Sequence, residues 1–176
     1  VLFLKQDIRY YLLVKAYSCE RDFNMFEKVD RVLICKLKFY GDVLLTTPVI
    51  ASIRARYPQA KIDLLLYKDT KAILAAHKDI NNFYLIEKKQ GLLSTVKNYL
   101  SVRKQLKKNH YDLNVNLTEQ WPIGALIASL RCPSIAFERE KDLWNRLFTR
   151  VTPSIGTHIV EQNLSILKGI GFSEAE

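Results

Sequence analysis

The chain has 176 residues, 48% of them hydrophobic, which suffices for one well-buried core and a short appendage. Its 27 Lys and Arg against 18 Asp and Glu leave a formal net charge of +9, so anionic partners are favoured. No run approaches the roughly 20 apolar residues that span a bilayer. Cys19, Cys35 and Cys132 are odd in number and lack metal-type spacing, and His77, His110 and His158 are isolated, so neither a disulfide scaffold nor a metal centre is expected.

Residues 1–28 read as a leader in which Leu2, Phe3, Leu4, Ile8, Tyr11 and Leu12 mix with Lys5, Arg9 and Lys15. Asp7 and the missing small-residue cleavage pattern argue against a signal peptide, which leaves a helix packed on the domain or an interfacial one. Apolar runs and amphipathic stretches then alternate. Strands are expected at 31–36, 61–67, 82–86, 112–116 and 134–137, and helices at 48–56, 70–77, 92–108, 122–130 and 157–170. In the third helix Leu92, Val96, Tyr99, Leu100 and Leu106 recur at helical spacing, a stripe expected to face the sheet with the basic residues outward. Apolar strands joined by helical crossovers imply an α/β domain over 29–172, a Rossmann-like parallel sheet with helices on both faces. Gly169 and Gly171 stop the last helix, and 173–176 read as the start of a linker to a further domain.

Gly41-Asp42 follows the apolar run Val32 to Cys35 and precedes Thr47-Pro48, which looks like an N-cap with Pro at the first helical position. Parallel sheets bind ligands beyond the carboxyl ends of their strands, and Gly41 would let the chain turn sharply there. Asp42 therefore either caps a helix or presents an ionised carboxylate to a substrate. Lys36 and Lys38 flank the loop, as point charges for a phosphate or carboxylate or as a charged edge. After the fourth strand, Thr118, Glu119, Gln120 and Trp121 reach the same crevice and could bind sugar hydroxyls and stack on a sugar ring; helix capping by Thr118 and burial of Trp121 are the plainer roles. The loop holds one Gly beside Phe39 and Tyr40, so the Gly-rich dinucleotide fingerprint is missing. Between 88 and 110 stand Lys88, Lys89, Lys97, Arg103, Lys104, Lys107 and Lys108 and no acid. Such a stretch suits an anionic lipid or glycolipid, or is a solvated face; no nucleic-acid-binding signature accompanies it.

Four segments, 31–50 with Gly41-Asp42 and Thr47-Pro48, 57–67 opening on Tyr57-Pro58, 111–121 and 156–164, resemble the N-terminal half of bacterial lipopolysaccharide heptosyltransferases of glycosyltransferase family 9. That resemblance implies a GT-B architecture of two facing Rossmann-like domains, of which this chain is the acceptor-binding one. It further implies heptose transfer with inversion from ADP-heptose, held by the other domain, to a heptose of the lipopolysaccharide inner core. Asp42 would be the base, no cofactor beyond the donor would be needed, and the enzyme would work as a monomer at the cytoplasmic face of the inner membrane. Asn116 stands where some relatives carry an acid. A non-catalytic, basic acceptor-binding or membrane-peripheral module and a nucleotide-binding Rossmann-like domain are the alternatives.

Overall fold

The computed structural model describes residues 24–88, 91–140 and 142–172, so most of the expected leader, Lys89 and the linker at 173–176 lie outside the described residues. The strands β1 (Arg31–Cys35), β2 (Lys61–Tyr67), β3 (Asn82–Ile86), β4 (Leu113–Asn116), β5 (Ser134–Phe137) and β6 (Arg150–Thr152) make one sheet. Their order is β3-β2-β1-β4-β5-β6, and every neighbouring pair is parallel. β1 and β4 are adjacent in space but not in sequence. At such a switch point the loops leaving the two strands part in opposite directions and open a crevice.

Side chains alternate across the sheet, and both faces are covered, which is why the strands read as unbroken apolar runs. Val32, Ile34, Ile62, Leu64, Leu113 and Val115 enter one layer with Val49, Ile50 and Ile53 of α2 (Thr47–Arg56) and with Ile166, Leu167 and Ile170 near the C-terminus. Leu33, Cys35, Leu65 and Ile86 enter the other, against Val102 and Leu106 of α4 (Leu92–Lys107) and Ile123, Leu126 and Ile127 of α5 (Trp121–Ala128). Burying one such side chain fully stabilises by about 1.5–3 kcal/mol.

The remaining helices are short: α1 (Tyr40–Leu44), α3 (Lys71–Leu74), α6 (Asp142–Asn145) and α7 (Ile159–Ser165). Several expectations need correction. Thr46, not Thr47, precedes α2, whose Pro48 still lies in the first turn, and the chain before it forms the short helical turn α1. The helix expected over 70–77 breaks into a 3₁₀ turn and the single turn α3. That expected over 157–170 becomes α7 followed by a 3₁₀ stretch, ended by Gly171 in the left-handed region. The edge strand β6 escaped notice, because three residues carry no period. On α4 the inward face is Val102 and Leu106 with Tyr99 half-buried, whereas Val96 and Leu100 point outward. The stripe holds at Tyr99 and Leu106 and fails at Val96 and Leu100, which lie at the far edge of the same arc and clear the sheet.

Candidate active site

Where β1 ends, the ladder continues on both sides: Lys36 donates its backbone N–H to Leu65 O (3.1 Å) and Leu117 donates to Cys35 O (2.9 Å). The next residue is clamped from the β4 side. Leu37 N–H donates to Thr118 Oγ1 at 2.8 Å, Gln120 Nε2 donates to Leu37 O at 3.1 Å, and Tyr67 Oη donates to Gln120 Oε1 at 2.9 Å. Three strands thus hold the turn that leads into α1, which carries Asp42.

Asp42 sits in the first turn of α1, after Phe39 at the N-cap, and no side chain caps that helix. It is half-buried, and among the described residues its carboxylate takes no hydrogen bond or ion pair. Gly41 has no positive φ, and nothing lies within 4 Å of where its Cβ would stand. The turn does not demand a glycine, contrary to the expectation from sequence; the missing side chain leaves open space beside the carboxylate.

Lys36 lies beneath the loop, 2% exposed, and donates from Nζ to Asn163 Oδ1 at 2.9 Å. Burial lowers its pKa from the ordinary lysine value; Asp42 and Glu119 work against that shift and Lys38 adds to it. Asn163, on α7, also donates from Nδ2 to Leu45 O at 2.9 Å, so one amide ties both the cation and the end of α1. Lys38 and Glu119 are exposed, and Glu119 offers its carbonyl to Arg139 Nη1 at 2.8 Å. Thr118 is buried with its oxygen committed to Leu37, which makes it part of the frame rather than of the open surface. Trp121 is 38% exposed and meets Trp144 edge-on, with ring centroids 5.4 Å apart. Lys88 Nζ lies over the rings of Phe39 (5.5 Å) and Tyr67 (4.5 Å), closing the rim with exposed Tyr40 and Leu44.

The crevice therefore gathers two carboxylates without an internal hydrogen bond among the described residues, the half-buried Asp42 and the exposed Glu119, with several cations and a half-open indole at the switch point. No family model matches the chain. It is 43% identical over 143 residues to lipopolysaccharide heptosyltransferase 3 of Escherichia coli (strain K12), over 78% of this chain and 42% of that protein. Across that aligned part, the chain is similar to the lipopolysaccharide heptosyltransferases. A second Escherichia coli protein of the same name is 41% identical over 140 residues, 77% of this chain and 41% of its own. The chain thus spans about two fifths of the curated relatives it matches. Solved structures agree in fold: a glycosyl transferase family 9 protein from Veillonella parvula (TM-score 0.74, 18% identity, 84% of this chain, 42% of that one) and E. coli heptosyltransferase WaaC with ADP (0.69, 21%, 82%, 48%). The sheet is a half of that GT-B-like architecture.

The structure brings Lys36, Lys38, Gly41, Asp42, Thr118, Glu119, Gln120 and Trp121 to one end of the sheet. Sequence reasoning passed over Asn163 and Arg139, and took Lys88 only as part of the basic stretch. Asn163 had a signal: it interrupts the inward stripe Ile159, Val160, Ile166 and Leu167, and a lone amide on an apolar face has a partner to satisfy. His158 does cap α7, accepting from Val160 N–H, while the Glu161 carboxylate accepts from His158 and Thr157 N–H groups, which hold it below the ordinary carboxylate range.

Trp144 also supports the crevice from behind. A Cβ on Gly124 of α5 would stand 2.8 Å from the Trp144 ring, so helix and indole pack closer there than any other residue allows. Gly124→Ala should lower stability by about 1–3 kcal/mol despite its better helix propensity. Chemical denaturation reads this directly, and an unchanged midpoint would mean the indole has room to move.

Proposed function

We propose that the protein containing these residues transfers heptose from ADP-heptose to a heptose of the lipopolysaccharide inner core, with inversion, and that this segment binds the acceptor and supplies the base. The single observation carrying this is Asp42: an unpartnered carboxylate at the switch point of a chain 43% identical to a heptosyltransferase. A sugar hydroxyl is a weak nucleophile. Asp42 takes its proton as the oxygen attacks the anomeric carbon and the bond to the leaving diphosphate breaks, a general-base role worth typically 10²–10⁴-fold. One carboxylate suffices for a direct displacement, whereas retention by double displacement needs a second as nucleophile. Lys36 and Lys38 raise the positive potential of the crevice, which favours the anionic groups of such an acceptor. Trp121 offers an apolar face to a pyranose.

Transfer of labelled heptose onto lipopolysaccharide whose core stops at the inner heptoses tests the reading. Failure of the intact protein on every such acceptor, with ADP-heptose present, would sink it. The donor is assigned to residues outside this segment, since Phe39 and Tyr40 stand at the start of α1, after β1, where a diphosphate needs close backbone approach. The similar E. coli WaaC has been solved with ADP-2-deoxy-2-fluoro heptose, over a chain of which this one covers 49%. Calorimetric titration of the 176-residue chain with ADP should accordingly show no saturable heat, and tight binding would reassign this domain as the nucleotide site.

A further inference from the structure

Among the described residues of helix α4, three aliphatic side chains are exposed, Leu93 at 78%, Val96 at 45% and Leu100 at 57%. At 100° per residue they fall within about 60° of one another around the helix. Lys97 and Lys104, both exposed, lie on that same side, and the whole stretch from 88 to 110 contains no acid. Arg103 does not belong to this surface: it is half-buried and donates from Nε to Ser129 Oγ at 2.7 Å, anchoring α4 to the end of α5. The inward side of α4 is held by Val102 and Leu106, so the outward residues are not needed to keep the helix in place.

The face also has a direction. α4 starts at the carboxyl end of the sheet, after β3, so Leu93 and Val96 in its first two turns stand at the same end as the crevice, and the lysines extend away from it. Three aliphatic side chains are too few for a stable dimer interface of roughly 800 Å² per partner. Interspersed lysines suit something else, a surface that is apolar within and negative at its boundary.

We propose that this face of α4 docks on an anionic lipid bilayer, with Leu93, Val96 and Leu100 at the boundary between headgroups and acyl chains and Lys97 and Lys104 among the headgroup phosphates. The protein then lies on the membrane as a peripheral enzyme with the open end of its crevice near the surface. The docking does not depend on Asp42 being the base.

The test is sedimentation of the intact protein with vesicles of phosphatidylethanolamine and phosphatidylglycerol, against vesicles of phosphatidylcholine alone. Changing Leu93, Val96 and Leu100 together to Gln, which keeps helix propensity, should weaken binding to the anionic vesicles by about 30-fold. Lys97→Gln with Lys104→Gln should cost about fivefold per residue at low salt and flatten the salt dependence. Leu93→Trp should shift its emission to the blue on adding anionic vesicles. The aliphatic variant should still act on an acceptor dispersed in detergent, which keeps this result apart from the transfer reaction. Equal vesicle binding by parent and aliphatic variant overturns the proposal, as does an unmoved Leu93→Trp emission in protein that has bound. A parent dimer that the aliphatic variant dissolves overturns it too, in favour of a second copy as occupant.

Discussion

Asp42→Asn in the intact enzyme should lower heptose transfer by about 10²-fold or more while the fold persists. The two roles open to this residue separate on magnitude. As an acid in the first turn of α1 it interacts favourably with the helix terminus, an effect of about 0.3–1 kcal/mol on stability that Asn would largely forfeit. A hundredfold loss in rate is about 2.7 kcal/mol of barrier, too large for that interaction and confined to the chemical step. Asn keeps the size and hydrogen-bonding capacity of the side chain but cannot accept the proton. The expected pattern is a small change in unfolding midpoint, an acceptor KM close to the parent's and a collapsed kcat. Near-normal kcat would reduce Asp42 to a helix-end charge and move the base elsewhere.

The layers of this domain were legible in its sequence because both sheet faces are buried. Arg31–Cys35 and Lys61–Tyr67 have no alternating polar face, and that pattern has few outcomes besides a covered parallel sheet. The location of the candidate crevice was legible for the same reason, since the first strand's end and the fourth strand's end meet at the switch point. What the sequence hid was the division of labour among the residues there. Thr118 and Gln120 look like sugar-binding groups until their bonds to Leu37 and Tyr67 are seen, because polar residues after a strand serve a frame and a ligand equally well. Lys36 and Lys38 look equivalent two positions apart; one is sealed against Asn163 and the other lies in solvent, a difference set by α7, over a hundred residues away in the chain. The outward face of α4 was misread because spacing fixes which residues share a side, not which side meets the core.

The Lys36–Asn163 pair gives the largest expected effect on stability. Lys36 is a buried ammonium with Asn163 Oδ1 as its hydrogen-bond acceptor, so Asn163→Ala leaves a charge without that acceptor and also frees Leu45 O. Stability should fall by about 2–3 kcal/mol, the cost of an unsatisfied buried charged donor. Lys36→Met keeps most of the stem and removes the charge, so it should be neutral or stabilising, while transfer drops by about tenfold as the crevice loses a cation. In the Met background Asn163→Ala should cost clearly less than in the parent, because the two residues share one interaction. The pH dependence has a definite sign. Burial places the folded pKa of Lys36 below its unfolded value of 10.5, so between the two the unfolded chain holds more protons, and stability gains with rising pH in that window. Lys36→Met lacks this contribution, so the parent's stability relative to the variant should climb as pH rises toward 10.5 and then level off. Parallel stability curves for the two proteins across alkaline pH would show that Lys36 titrates in the fold as it does in the open chain, and its assignment as a desolvated cation under the crevice would fall.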